Sequence, residues 1–145
     1  MRKYLLVFVI ACFLISTNAN AESICDGAEK QFVEAVNVYK KKNSTSFVER
    51  VLKDGPFDGN QQRILVTAQA LGKIEQIFGQ IQTSYVLSKK AMGDKTCYLT
   101  GILEYSNGPL FISANYYQTN KGVAATSIFF NSEAGEVLPK QWLVE

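Results

Sequence analysis

The spacing of apolar residues changes once along this chain, near Ile81, and that change does most to limit the fold. Before it, apolar residues return every three or four positions, which marks one face of a helix. After it they alternate, which marks half-buried strands. A run of helices followed by a run of strands predicts an α+β domain with helices packed on one face of an antiparallel sheet.

Three helices are expected. Asp26 and Glu29 have capping-box spacing, and Ala28, Phe32, Ala35, Val36 and Tyr39 follow as one apolar stripe ending near Lys42-Asn43. Ser46 and Glu49 repeat the box and start a short helix carrying Phe47, Val48, Val51 and Leu52, which Asp54-Gly55-Pro56 stops. Asp58-Gly59-Asn60 is a turn and cap for a third helix from about Gln61, with Ile64, Leu65, Ala68 and Leu71 inward. Where that helix ends stays open, since Gly72 weakens it while Ile74, Ile77 and Phe78 could continue it to Gly79.

Four strands follow, over residues 81–92, 96–106, 110–118 and 123–131. Asn107-Gly108 is the strongest hairpin signal, because both residues accept the positive φ of a type I′ turn. A loop of those two residues pairs Ser106 with Pro109 and Leu99 with Tyr116. Alternation then puts Cys97, Leu99, Gly101, Leu103, Tyr105, Leu110, Ile112, Ala114 and Tyr116 on one face, toward the helices. The opposite face holds Tyr98, Thr100, Ile102, Glu104, Phe111, Ser113, Asn115 and Tyr117. A bulge in the first or fourth strand would flip its faces, so those two registers stay open. Beyond the strands, the tail is expected to dock Leu138, Trp142 and Leu143.

The first residues read as a leader. Arg2 and Lys3 precede the apolar run from Tyr4 to Ile15, and Ala19-Asn20-Ala21 has small residues where a signal peptidase reads. Residues 1–21 are therefore expected to be a cleaved signal peptide, and residues 22–145 a single domain, periplasmic or secreted. Val9 to Cys12 also resembles a lipobox, but cleavage there would leave a very short apolar region. Of 15 Lys+Arg and 13 Asp+Glu, Arg2 and Lys3 leave with the leader, so the mature chain carries 13 of each sign. No net positive field remains to attract nucleic acid or anionic lipid. Cys12 leaves as well. Cys25 and Cys97 remain, an even pair in an oxidising compartment, and a disulfide between them is expected. Cys97 faces the helices and Cys25 opens the first of them, which agrees with that bond.

The order of elements, together with "ALGKIEQI" at residues 70–77 and the run from Tyr85 to Ser132, resembles the nuclear transport factor 2-like superfamily. Asn107-Gly108-Pro109-Leu110-Phe111, Tyr116-Tyr117 and Phe130-Asn131 match its small exported bacterial branch, although Val123 stands where that branch usually has tryptophan. The resemblance implies a cone: three N-terminal helices on a curved four-stranded antiparallel meander. It implies no single function, since that superfamily hosts enzymes, ligand binders and assembly modules.

The residue list narrows the chemistry. There is no histidine, so serine–histidine and cysteine–histidine nucleophiles and His-based metal sites are excluded. No cofactor or metal is expected. Glu104 is the sole acid in the four expected strands, on the outer face, and Glu75 lies where the third helix meets the sheet. Tyr105 and Tyr116 share the core face with small Gly101 and Ala114, which suggests a pocket for a small apolar ligand. Tyr98, Ile102, Phe111 and Tyr117 suggest an association surface for a homodimer or an envelope protein. The leading expectation is an exported, non-enzymatic binding or interaction module. Second comes an isomerase- or dehydratase-type enzyme using Glu104 or Glu75 with a tyrosine, and third an envelope immunity or inhibitor protein.

Overall fold

The structure is a computed structural model and describes residues 23–143. The leader, its cleavage after Ala21 and Cys12 lie outside those residues. Three helices come first: α1 (Ile24–Lys41), α2 (Ser44–Leu52) and α3 (Gln61–Phe78). Four strands follow: β1 (Ile81–Ala91), β2 (Thr96–Tyr105), β3 (Gly108–Thr119) and β4 (Gly122–Asn131). A single-turn helix α4 (Ala134–Val137) and a 3₁₀ turn at Lys140–Trp142 complete the described chain. The strands pair antiparallel in the order β1-β2-β3-β4, and the expected α+β meander is present.

Two helices are capped three residues before the expected caps. Ser23 caps α1: its Oγ accepts from the Asp26 amide at 3.2 Å and donates to Asp26 Oδ2 at 2.7 Å. Asn43 caps α2, its Oδ1 accepting from the Ser46 amide at 2.9 Å. In both cases the polar residue expected as the cap stands at N3, the fourth residue counted from the cap, because Ile24-Cys25 and Ser44-Thr45 accept the first helical turn. Asn60 caps α3 as expected, and Gly79, at φ 81°, ends it.

The Asn-Gly hairpin differs from its expected form. The two-residue loop is Ser106-Asn107, so Tyr105 pairs with Gly108 and Leu99 with Ala114. Neither loop residue has a positive φ. The turn is instead fastened to the α3–β1 connection, where the Asn107 amide donates to Phe78 O at 2.8 Å and the Ser106 amide donates to Gln80 O at 3.0 Å. Gly108 supplies room rather than φ, since a Cβ there would lie 3.3 Å from the Phe78 ring. The pairing is displaced by two residues, an even number, so both faces survive the error. All nine side chains assigned to the core face are buried. Bulges between Ile81/Thr83, Val86/Ser88 and opposite Asn115/Tyr116 set the outer strands and help curve the sheet.

The core lies between α1 and the sheet. Phe32, Val36, Phe47, Leu52, Leu99, Leu103 and Ile112 are enclosed in it, each worth about 1.5–3 kcal/mol by transfer. The Cys25–Cys97 disulfide joins the first turn of α1 to the start of β2, with Cα atoms 5.3 Å apart. Beside it, Lys89 of β1 bridges Asp26 at 2.7 Å and Glu29 at 2.5 Å. Leu65 is not inward: it is 55% exposed, because α3 packs chiefly on α2 and uses only the Ile64–Ala68–Leu71 stripe. The tail docks through Val137, which is buried, rather than through Trp142 and Leu143, which are exposed.

Candidate functional site

The four residues expected to line a pocket are packed instead. Tyr105, Tyr116, Gly101 and Ala114 are all buried, and the space beside Gly101 is filled. A Cβ on Gly101 would come within 2.7 Å of Tyr85 O and 3.4 Å of the Phe32 ring. The small residues let α1 approach the sheet closely; they do not hold a cone open.

The four residues expected to form an interaction face share one side of the sheet, but not one free surface. Tyr98 is half-buried, and its hydroxyl donates to Val137 O at 3.5 Å, while α4 packs against β3 and β4. Ile102 and Phe111 are register partners toward the β2–β3 turn and half-buried. Tyr117 is exposed at the far end. The chain's own C-terminal segment occupies the ground between them.

Two places outside the packed core bring chemistry together. The first is at the mouth near the end of α3. Tyr39 and Tyr105 share a hydrogen bond of 3.1 Å between their hydroxyls. Burial pushes the Tyr105 phenol up to about 12, and pushes Tyr39 up further. Glu75 stands next to them: desolvation raises its carboxyl above the usual 4.5, and the Tyr39 hydroxyl pulls it part of the way back. Glu75 also faces an open groove of about 480 Å³ with Gly72, Gln76, Gly79 and Gln80. Glu104, by contrast, is exposed on the outer face of β2, opposite Pro109.

The second place is a cleft of about 370 Å³ where α1, the end of α2 and the β3–β4 turn meet. Its wall carries both signs of charge: Lys30, Arg50 and Lys121 against Glu34 and Asp54. Arg50 pairs with Glu34. Gln31 lines the cleft while being only 7% exposed. Two enclosed side-chain atoms among the described residues have no hydrogen-bond partner, Gln31 Oε1 and the Tyr116 hydroxyl. Burial pushes the Tyr116 phenol up, and the Arg50 charge draws it part of the way back.

The sequence reasoning did not find this cleft. A signal was available: Gln31 stands three residues after Ala28 and four before Ala35, on the buried stripe of α1. Arg50 and Lys121 carry no such mark, since a charge at a helix end or in a turn is ordinarily solvated.

Among the described residues no helix is long and apolar enough to cross a membrane, and no group of three or more His, Cys, Asp or Glu could hold a metal ion. No protein-family model matches the chain, and no curated protein matches it. Among solved structures, the chain is similar to an NTF2-like protein of unknown function from Shewanella baltica OS155. Identity is 10%, the TM-score is 0.45, and the match covers 72% of this chain and 93% of that chain. That likeness concerns fold alone.

Proposed function

We propose that the protein is an exported, non-enzymatic binding module whose site is the cleft between α1, α2 and the β3–β4 turn. The observation that carries this reading is the cleft itself, a concave space of about 370 Å³ whose wall gathers Lys30, Arg50 and Lys121 with Glu34 and Asp54 and includes the largely buried Gln31. Charged side chains of both signs around one concavity offer a polar ligand several charge-assisted hydrogen bonds at once. The Cys25–Cys97 bond and the basic, then apolar, opening of the sequence support export. Native mass spectrometry of the mature chain, purified from its own cells, tests the reading. A discrete retained small molecule, lost from Gln31→Met, is expected; a bare chain in both proteins refutes it.

A second reading has its own observation. Glu75, with a raised pKa and the Tyr39–Tyr105 pair beside it, has the composition of a proton-transfer site of isomerase or dehydratase type. It ranks lower because the two tyrosine hydroxyls there already bond to each other, while the α1–α2 cleft gathers more charged side chains around one concavity. Proton exchange at the α-carbon of a ketone panel, abolished by Glu75→Gln, would raise it above the binding reading.

A further inference from the structure

A third hollow, apart from the charged cleft and from the Glu75 groove, lies between the first half of α3 and β4. We propose that it binds a carboxylate carried on an apolar body, of the size of a medium-chain fatty acid or an arylalkanoic acid. This site is independent of the cleft. Three observations select the class.

The first is an apolar floor that the fold leaves uncovered. Ile128 and Phe130 stand on the core face of β4, opposite Ala114 and Ile112. On β2 and β3 the side chains of that face are buried, but Ile128 and Phe130 are only half-buried. α3 is the helix that could cover them, and it leans on α2 instead. The space left beside Ile128 is a groove of about 420 Å³, within the range of about 300–1,000 Å³ usual for ligand sites. Val66 of α3 lines the same groove and is 59% exposed, although its side chain is wholly apolar.

The second is the sign of the charge. Arg63 is the one charged residue that lines the groove. Its guanidinium carbon lies 3.9 Å from the centre of the Phe57 ring, and Phe57 lines the groove as well. A ring face carries no formal charge, so this contact positions the cation without neutralising it. No acidic side chain among the described residues lies within salt-bridge distance of Arg63, whereas Arg50 has Glu34. A guanidinium held in place and still unpaired suits a carboxylate, which it can bind through two parallel N–H···O bonds.

The third is the combination. No carboxylate lines the groove, so a cationic ligand would meet Arg63 as a like charge with nothing to offset it. A bare inorganic anion would leave Phe57, Val66 and Ile128 in water, and a neutral hydrocarbon would leave Arg63 unused. An acid with an apolar body uses both, with the Thr67 side chain at hand as a further donor.

The test is a calorimetric titration at pH 7 of the protein expressed from residue 22 onward. The acids are octanoate and phenylpropanoate, one for each kind of apolar body. Octanol, octylammonium and acetate are the neutral, cationic and body-less probes. At least one acid is expected to bind about tenfold or more tightly than all three, the worth of a charge-assisted hydrogen bond. Arg63→Met should lower the affinity of that acid to the level of octanol. Val66→Asp, at an exposed position where folding is not at stake, should weaken it about tenfold by setting a like charge beside the ligand. If octanol or octylammonium binds as tightly as the acids, Arg63 does not choose the ligand and the proposed class is wrong. If acetate does, the apolar floor contributes nothing and the class is equally wrong. If the acids bind wild type, Arg63→Met and Val66→Asp alike, binding lies elsewhere and this site falls, with the cleft reading unaffected. If neither acid binds, the proposal is refuted.

Discussion

Breaking the Cys25–Cys97 bond should remove a large part of this domain's stability. The bond ties the first turn of α1 to the start of β2 across 72 residues of chain. In the chain-entropy account, closing a loop of that length lowers the entropy of the unfolded chain by about 15 cal/mol/K, or roughly 4.4 kcal/mol at 25 °C. A domain of this size has about 6–18 kcal/mol in total, so the bond supplies a quarter or more. The assay is urea unfolding followed by far-ultraviolet circular dichroism, on the protein expressed from residue 22 onward, which lacks Cys12. Oxidised and reduced samples are compared by extrapolated free energy, because the cross-linked unfolded chain is more compact and has a smaller m-value. The Cys25→Ser variant without reductant should match the reduced wild type, since it cannot close the loop. A loss below about 1.5 kcal/mol with an unchanged m-value would refute the reasoning. It would mean that the unfolded chain already holds residues 25 and 97 together, or that the native state stores compensating strain.

Four further outcomes follow from named contacts. Gly101→Ala should destabilise by about 1–3 kcal/mol in the same urea assay, because the new Cβ meets Tyr85 O at 2.7 Å and backbone must move. Glu75→Gln should be more stable than wild type at pH 7 and equal to it below about pH 4. The folded pKa of Glu75 is raised, so its penalty is absent below the ordinary 4.5 and grows as pH rises through the folded value; thermal melts from pH 3.5 to 7.5 read the difference. Tyr116→Phe should be neutral or stabilising by up to about 1 kcal/mol, since it removes an enclosed hydroxyl with no partner, and a loss above 1 kcal/mol in thermal melts would show that the hydroxyl is bonded. Asn43→Ala should cost about 1 kcal/mol by removing the α2 cap, whereas Ser46→Ala should cost little, which separates the observed cap from the expected one in a pair of urea curves.

The parts of this fold that were legible in the sequence are those set by side-chain alternation. Cys97, Leu99, Leu103, Leu110 and Ile112 face the helices whichever of two turns joins the strands, because both turns preserve parity. The disulfide was legible from the cysteine count, an even pair once Cys12 is set aside with the expected leader, and the separately assigned face of Cys97 agreed with it. Local chemistry failed where a distant element supplied the hydrogen bond. Asn107-Gly108 has the residues for positive φ, yet its turn is fastened to Phe78 O and Gln80 O, contacts that no local window contains. Leu65 fits the helical spacing but has no layer to pack against, because α3 leans on α2 rather than on the sheet. The site was hardest to see. Tyr105 and Tyr116 beside Gly101 suggest a hollow, and only the position of Phe32 shows that the hollow is filled.

That filling decides where binding can occur. Three tyrosines are buried in the core, and their hydroxyls end differently. The hydroxyls of Tyr39 and Tyr105 bond to each other beside Glu75, so that margin is closed by its own polar groups. The Tyr116 hydroxyl finds no partner, and neither does Gln31 Oε1. Phenylalanine and methionine would fill those two positions with almost the same shape and without the desolvation cost of about 1–3 kcal/mol per group. A domain of marginal stability carries that cost at each position unless a partner offsets it. One enclosed water could meet the need of either atom, but it would give no use to the charges of both signs on the cleft wall. A polar solute that meets Lys30, Lys121, Glu34 and Asp54 gives those charges a use, which is why the cleft, and not the packed core, is the place to look for a ligand.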